Sequence, residues 1–218
     1  SSVCAPSRGS ILTGRYPRNT GITKNYQQLH GKNEEKTIAP LLHKAGYKNA
    51  LLGKYLNRYG ITHPEFIPEG WDEWHAIIDE NVYYNYRLNE NGKTVHYGDK
   101  REDYITDVLS NKAARFLDTS GHDKPFFLFI NTVAPHVPDI PAPEYKDEFN
   151  DIPITFSFED DITDKPAWVQ NYRSLNKSLI RESFGNTQKM GNLYRKRWRT
   201  LLSVDDMIDN IMNHLEKK

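Results

Sequence analysis

Cysteine, net charge and long apolar segments are all scarce in this sequence of 218 residues. The single cysteine, Cys4, excludes an internal disulfide framework and any zinc site built from several cysteines. The 29 Lys and Arg residues are balanced by 29 Asp and Glu residues, so the composition predicts no binding surface for nucleic acid or anionic membrane. Since no apolar run approaches the roughly 20 residues of a membrane-crossing helix, no membrane span is expected.

The residues that are present indicate a folded domain. Four Trp, 13 Tyr and 9 Phe supply large apolar side chains, and the length is sufficient for a hydrophobic core. The chain begins at Ser1 without an initiator methionine or a signal segment, and it stops at Lys218, where a helix is predicted to end. Both a mature product and a piece of a longer protein agree with this composition.

Helical and strand patterns alternate along the chain, as they do in α/β proteins. A short helix is predicted over 4–14, because Pro6 suits a first helical turn and Gly14 ends the helix. Thr37 is predicted to cap a second helix over 38–45. The other predicted elements are a surface loop over 15–36, a strand over 47–52, a hairpin of 83–88 and 93–97, a helix over 103–118 capped by Asp103, a strand over 126–131 and a long helix over 190–215.

The predicted sheet has few strands for an α/β domain. Only 47–52 and 126–131 have the pattern of parallel strands, and the second, the most apolar run of the chain, is expected to be buried. Residues 139–186, with Pro, Asp and Asn spread throughout, are interpreted as an irregular insertion or cover segment. Because an open α/β sheet normally contains more strands, the chain is expected to be an incomplete part of a larger domain.

Cys4 and Arg8 form the most distinctive local pattern. Cys4 lies at the start of the predicted helix, where backbone N–H groups and the helix dipole favour an anion. Arg8 follows one turn later on the same face, so a thiol at this place is expected to be nucleophilic. Taken by themselves, the two residues favour the plainer interpretation of a small buried cysteine near a surface arginine.

The segment Cys4–Gly14, with the sequence CAPSRGSILTG, resembles the signature of the sulfatase family. The resemblance implies that a formylglycine-generating enzyme converts Cys4 to formylglycine, whose aldehyde hydrates to a geminal diol. One hydroxyl, activated by a divalent cation, then attacks the sulfur of a sulfate ester, and the alcohol leaves. The second hydroxyl expels sulfate and restores the aldehyde, whereas a serine would remain sulfated.

The segment after the strand 47–52 resembles a part of sulfatases that binds the substrate sulfate. Lys54 matches the lysine of that segment, and a strand end is a usual place for ligand contacts in α/β sheets. Many sulfatases have a histidine two residues later, but this chain has Leu56 there. The resemblance therefore implies that Asn57 or a histidine elsewhere replaces it. Without the resemblance, Lys54 would be interpreted as an ordinary solvated lysine.

His136 lies in the proline-rich segment APHVP, which resembles a sulfatase loop with a substrate-contacting histidine. An imidazole there donates a hydrogen bond to the ester oxygen or to the sulfate. The position directly after the most apolar strand favours this role over that of a surface histidine. In all, the resemblance assigns catalysis to Cys4, Arg8 and His136, and substrate binding to Lys54, Asn57 and His136.

Several further segments are similar to the branch of the family that contains N-acetylglucosamine-6-sulfatases and heparan endosulfatases. They are GKYLN at 53–57, IPEGW at 67–71, YNY at 84–86, DYITDV at 103–108 and the two parts RKRW and SVDD within 195–206. The similarity covers nearly the whole chain, so 1–218 is interpreted as a partial sulfatase catalytic domain. The fold implied is an alkaline-phosphatase-like α/β sandwich, with a mostly parallel sheet flanked by helices and incomplete at both ends. The substrate implied is a 6-O-sulfated glucosamine unit of a glycosaminoglycan.

The resemblance also implies one calcium ion, a hard cation that prefers oxygen ligands. In the family, two Asp ligands precede the cysteine and the others follow in a segment beyond the position of Lys218. Only the modified Cys4 is therefore expected here as a ligand, and the isolated chain is expected to be inactive. Asp205 and Asp206 resemble the metal-binding pair, but adjacent residues of a helix point in different directions, so they are interpreted as structural or solvent-facing.

Three alternatives stay open at this point. The chain could belong to a non-catalytic protein that binds sulfated glycans, or to an arylsulfatase that acts on another sulfate ester. A related hydrolase of phosphate esters is the third, although such enzymes use Ser or Thr where this chain has Cys4. Family members are commonly lysosomal, secreted or periplasmic, and this is the localisation that the resemblance implies.

Overall fold

The computed structural model describes residues 3–29, 34–79, 82–120, 124–153, 161–171 and 187–217. Within these ranges one sheet is formed by β1 (Lys48–Gly53), β2 (Glu73–Ile77), β3 (Tyr86–Glu90), β4 (Lys93–Tyr97) and β5 (Phe126–Asn131). The helices are α1 (Cys4–Thr13), α2 (Pro17–Thr20), α3 (Ile38–Lys44), α4 (Ile105–Thr119) and α5 (Thr187–Glu216). Short 3₁₀ turns lie at Arg101–Asp103 and Pro143–Tyr145.

The sheet is mixed, with the strand order β4-β3-β2-β1-β5. β1 pairs in parallel with both β2 and β5, whereas β3 is antiparallel to both of its neighbours, β2 and β4. The two strands and the hairpin expected from the sequence are present. The third parallel strand, β2, was not expected, because Glu73 and His75 interrupt its apolar pattern. In the structure these two side chains project from the same face of the strand, and Nε2 of His75 lies 3.6 Å from a carboxylate oxygen of Glu73.

β5 differs from its expected environment. The sequence predicts a strand buried on both sides, but all six of its residues are only half-buried. The reason is its position, since in the part of the chain described here β5 pairs with β1 alone and forms one edge of the sheet. The apolar composition therefore predicted the strand correctly. The prediction that both of its faces are buried is wrong.

Two hydrophobic cores lie on opposite faces of the sheet, because successive strand side chains alternate between the faces. Leu51 faces a core formed with Trp74 and with Ala5 and Leu12 of α1. Leu52 faces the other core, which α4 and α5 cover. The residues of this second core include Ile77, Leu88, Ile105, Leu109 and Met207. Helix α1, which begins at Cys4, is thereby packed on one face close to the centre of the sheet.

Most local boundaries agree with the sequence, and two caps do not. Gly14 ends α1 in the left-handed conformation, with φ of 65°, as expected. Asp103 belongs to a 3₁₀ turn, and Tyr104 is the N-cap of α4 instead. Thr37 is at the N-cap of α3, but its hydroxyl donates to the oxygen of Glu34 and does not cap the helix. The loop 15–36 contains the short helix α2.

Helix α5 is longer than predicted, and two of its arginine side chains bind part of the segment that was expected to be irregular. The guanidinium of Arg195 donates to the main-chain oxygens of Phe149 and Ile152, at 2.9 and 2.7 Å. Arg199 donates to the main-chain oxygen of Glu148 at 2.7 Å. Residues 167–171 of the predicted cover segment are also helical, and its residues 154–160 and 172–186 lie outside the described residues. Among the helices that are described, none has the length and hydrophobicity needed to cross a membrane.

Candidate active site

The first turn of α1 places Cys4 and Arg8 beside the end of β1. Ala5 is completely buried and anchors this turn in the core, while Cys4 remains half-buried. The guanidinium of Arg8 donates a hydrogen bond of 2.7 Å to the main-chain oxygen of Lys54. Burial lowers the pKa of Arg8, and the neighbouring Cys4 acts in the opposite direction. The structure therefore places Arg8 beside Cys4 and joins its guanidinium to the main chain at Lys54.

Lys54 follows β1 directly, at the carboxyl end where β5 also ends. Its main-chain N–H donates to the oxygen of Asn131, the last residue of β5, at 2.9 Å. The chain can approach Asn131 this closely because Gly53 has no side chain: a Cβ atom there would lie 2.2 Å from the same oxygen. Gly53 also has φ of 94°, which side chains rarely permit. Lys54 itself is 7% exposed, and so is buried rather than solvated.

Leu56 and Asn57 have different surroundings. Leu56, at the position for which the sequence comparison above expected a histidine, is buried and packs in the core beside α1. Asn57 is 6% exposed, and its Oδ1 atom has no hydrogen-bond partner within the described part of the chain. A buried amide oxygen without a donor costs free energy, so the atom is suited to accept a hydrogen bond from a ligand.

His136 lies in the loop that follows β5, and it is exposed. Its main-chain oxygen accepts a hydrogen bond of 2.7 Å from the hydroxyl of Tyr83, which fixes the loop to the core. The Nδ1 atom contacts the oxygen of Val137 at 2.8 Å. Because a carbonyl can only accept, Nδ1 has to carry the proton, and Nε2 is the atom left for other partners.

The start of α1 also contains a contact that sequence reasoning missed. The side chain of Asn25 accepts a hydrogen bond of 3.0 Å from the main-chain N–H of Ala5, through Oδ1. Pro6 has no N–H to offer. The N–H of Ala5 is therefore already occupied by Asn25, and the positive side chain next to Cys4 is that of Arg8. No local signal connects Asn25 to a helix twenty residues earlier in the chain.

No group of three or more His, Cys, Asp or Glu residues in the described ranges could hold a metal ion. The residues seen here therefore do not fit a calcium ion by themselves. Asp205 and Asp206 lie on α5, as expected, and the carboxylate of Asp206 accepts a hydrogen bond from the hydroxyl of Tyr145. Asp206 thereby contributes to the contact between α5 and the Pro143–Tyr145 turn.

A cavity of about 370 Å³ lies against the segment that follows Asn57. Its wall combines aromatic side chains, among them Tyr55 and Tyr59, with the exposed cationic or ionisable groups of Arg58 and His63. Arg58 lies in the left-handed region with φ of 64°. The guanidinium groups of Arg195 and Arg199, by contrast, bind main-chain oxygens of the segment 148–152.

Comparisons with known proteins agree on one family. A sequence profile described as Sulfatase matches residues 1–218. The N-acetylglucosamine-6-sulfatase of Homo sapiens is 38% identical over 232 residues, a match that covers 99% of this chain and 41% of that protein. A Caenorhabditis elegans protein named putative extracellular sulfatase Sulf-1 homolog is 38% identical over 230 residues, covering 99% of this chain and 31% of its own length. The chain thus spans less than half the length of these relatives.

A solved structure with the same fold extends over the whole chain. It is described as a complex with its substrate, D-glucosamine-2-N,6-O-disulfate, and it matches with a TM-score of 0.73 at 24% identity. The match covers 100% of this chain and 53% of that one. At this identity the likeness establishes the fold.

Proposed function

This chain belongs to the sulfatase family, and from this we propose that the protein hydrolyses the 6-O-sulfate ester of N-acetylglucosamine units in a glycosaminoglycan. The observation that carries the proposal is the contact between Arg8 and Lys54, because it joins the segment with Cys4 to the predicted sulfate-binding lysine. The 38% identity to an N-acetylglucosamine-6-sulfatase supports the choice of substrate. Action outside the cytosol, in a lysosome, the periplasm or the extracellular space, is part of the same proposal.

Each side chain has a role in this proposal that suits its surroundings. Cys4, converted to formylglycine, supplies the hydroxyl that attacks sulfur and the one that later releases sulfate. Arg8 and Lys54 bind the sulfate oxygens, and their charges stabilise the negative charge that develops on them. Calcium is expected for the family, but the residues described here do not form its site, and no step is assigned to it.

His136 and Asn57 act on the rest of the ester in this proposal. With Nδ1 engaged by Val137, His136 donates a proton only from Nε2 of the imidazolium form, and the proton goes to the sugar oxygen as the S–O bond breaks. Asn57, whose buried Oδ1 has no donor among the described residues, accepts a hydrogen bond from a hydroxyl group of the substrate.

The test uses the full-length protein produced together with a formylglycine-generating enzyme. Hydrolysis is measured for 6-O-sulfo-N-acetylglucosamine, for its 3-O-sulfo isomer, for 4-nitrophenyl sulfate and for 4-nitrophenyl phosphate, and the mass of the Cys4 peptide is determined. We expect release from the 6-O-sulfo sugar and an aldehyde at Cys4. Release from the aryl ester alone would indicate an arylsulfatase, and turnover of phosphate esters alone would indicate the phosphate hydrolase.

Variants of the charged residues sharpen this test. Lys54→Met is expected to raise KM for the sulfated sugar at least about tenfold, since one direct contact to a charged group is lost. Lys24→Met is the matched control, because Lys24 is exposed in the loop before α3 and lies over the ring of Tyr26. Binding of sulfated glycan without turnover, together with an intact thiol at Cys4 in the native source, would indicate the non-catalytic alternative.

A further inference from the structure

We propose that Asn25 is a positioning residue for Cys4, an inference that rests on the proposed function of Cys4 as the nucleophile. Asn25 touches no substrate in this proposal. Its side chain holds the first turn of α1 from outside the helix, through the hydrogen bond of 3.0 Å from the N–H of Ala5 to Oδ1. The direction of the neighbouring Cys4 side chain thereby depends on a residue of another segment.

Packing of the buried Ala5 anchors the start of α1, but few groups of the described chain can accept hydrogen bonds from its N–H groups. Val3 is the N-cap, but its side chain has no atom that can accept a hydrogen bond from the first turn. Pro6 removes one of the donors of this turn, and the first main-chain bond of the helix runs from the N–H of Ser7 to the oxygen of Val3, at 3.0 Å. Within the part of the chain that the structure describes, Asn25 alone supplies a side-chain acceptor to these N–H groups.

Asn25 is itself held in place by its neighbours in the loop. The Oε1 atom of Gln27 accepts hydrogen bonds from the N–H of Thr23 at 2.7 Å and from the N–H of Lys24 at 3.0 Å, which closes a turn around Asn25. Gln28 then donates to the main-chain oxygen of Arg58 at 2.7 Å. The bond from Gln28 ties the turn to the segment that follows Lys54 and Asn57.

The loop also packs tightly on α1. Ile22 is fully buried against Gly9, where an added Cβ would come within 2.9 Å of the isoleucine side chain. The loop is thus fastened to the middle of α1 by packing and to its first turn by the bond from Asn25. Without the hydrogen bond from Ala5 to Asn25, we expect the first turn to fray and the Cys4 side chain to move away from Arg8.

The variants separate positioning from general stability. Asn25→Ala removes the acceptor, and we expect kcat to fall about 10- to 100-fold with KM changed less than about threefold, because a misplaced nucleophile still leaves the sulfate-binding side chains in place. Asn25→Asp keeps the acceptor. It is expected to restore kcat to within about threefold of the wild type and to raise KM, because the added negative charge repels an anionic ester. Asn19→Ala is the matched control, since Asn19 is an exposed asparagine of the same loop.

Any sulfate ester that the full-length wild type hydrolyses serves for these kinetics, so failure of the 6-O-sugar assignment does not affect the result. A second measurement needs no turnover: the unconverted protein, with Cys4 as a thiol, is alkylated with iodoacetamide, and the labelling rate of the Cys4 peptide is followed by mass spectrometry. We expect Asn25→Ala to change this rate at least about threefold, and Asn19→Ala to leave it near the wild-type value. If Asn25→Ala left kcat and the labelling rate unchanged and lowered only the melting temperature, or if Asn25→Asp failed to restore kcat, the proposal would be overturned.

Discussion

The guanidinium of Arg8 donates a hydrogen bond to the main-chain oxygen of Lys54, although 46 positions separate the two residues in the sequence. The bond connects the first helix to the carboxyl end of β1. In the proposed sulfatase it therefore has two functions, because it orients the cationic side chain of Arg8 and it fixes the distance between the two segments that bind the sulfate.

Replacement of Arg8 by lysine is expected to lower kcat/KM of the full-length enzyme about 100-fold, because a lysine ammonium cannot hold the Lys54 oxygen and the substrate with the planar geometry of a guanidinium. Steady-state kinetics with the best sulfate ester measures the effect. Arg15→Lys is the control, since Arg15 is exposed just after α1. Equal rates for the two variants would show that the guanidinium of Arg8 has no special part in the site.

Gly53→Ala is expected to destabilise the protein by about 3 kcal/mol or more, because the added Cβ would meet the Asn131 oxygen at 2.2 Å in a backbone region unsuited to side chains. Gly14→Ala has the same backbone disadvantage, with φ of 65°, but nothing within 4 Å of the added atom. It should cost only about 1 kcal/mol. Urea unfolding of both variants measures the difference, and similar losses would contradict the steric explanation.

Glu90→Gln is expected to destabilise the protein by about 2 kcal/mol. The carboxylate of Glu90 lies 2.7 Å from the ammonium of Lys112, whose side chain is 11% exposed, and it also accepts a hydrogen bond from Tyr97. Burial alone would raise the pKa of Glu90, but the bonds from Lys112 and Tyr97 lower it. The amide would leave the ammonium of Lys112 buried without its counter-charge.

The exposed pair Lys165–Asp164 provides the control for Glu90. Its side chains are 51% and 68% exposed, so Asp164→Asn should change the free energy of unfolding by less than about 0.5 kcal/mol. Thermal and urea unfolding at pH 7 compare the two variants. Equal effects would mean that the burial of the Lys112 ammonium does not matter.

Asp107 should make the protein more stable in mild acid than at neutral pH. Burial, with Glu144 and Asp206 nearby, raises the pKa of this carboxyl to about 6, and Arg101 opposes the shift. The folded protein then binds a proton more tightly than the unfolded chain, so this contribution is complete below the ordinary pKa of an Asp and is lost as pH rises through about 6.

Unfolding between pH 3.5 and 7.5 tests the role of Asp107. In Asp107→Asn we expect a smaller loss of stability across the interval from about pH 4 to 6, and a gain at pH 7 relative to the wild type. Asp99→Asn, a change of an exposed carboxyl, should follow the wild-type curve. A curve for Asp107→Asn that also follows the wild type would show that this carboxyl is not the titrating group.

Local signals were enough to locate much of the fold. The helix that begins at Cys4 ends where Gly14 allows a left-handed residue, and the Asn91–Gly92 turn of the hairpin has positive φ at both residues. The predicted α/β class is confirmed by a likeness that covers the entire chain. Periodicity was less informative for β2, where a charged pair replaces the apolar alternation, and for β5, whose burial depends on its neighbours.

The candidate site was predicted as a set of residues and not as an arrangement. The resemblance named Cys4, Arg8, Lys54, Asn57 and His136, and the structure joins Arg8 to the main chain at Lys54, with Cys4 as its neighbour on α1. The resemblance could not reveal that Lys54 and Asn57 are buried, because burial follows from how α1 and β5 pack on β1. The roles of these residues in catalysis stay predictions until the variants are measured.

What the sequence determined by itself is the chemistry available and its local setting: one cysteine at a helix start, an arginine one turn later, and a lysine and a histidine after two strands. Those features depend on neighbours within a few residues, where propensity and caps act. Only the tertiary structure decided that Asn25 holds the first turn of α1, and that Arg195 and Arg199 bind the segment 148–152. These contacts join distant parts of the chain, and so their formation depends on the packing of the whole domain and not on any local pattern.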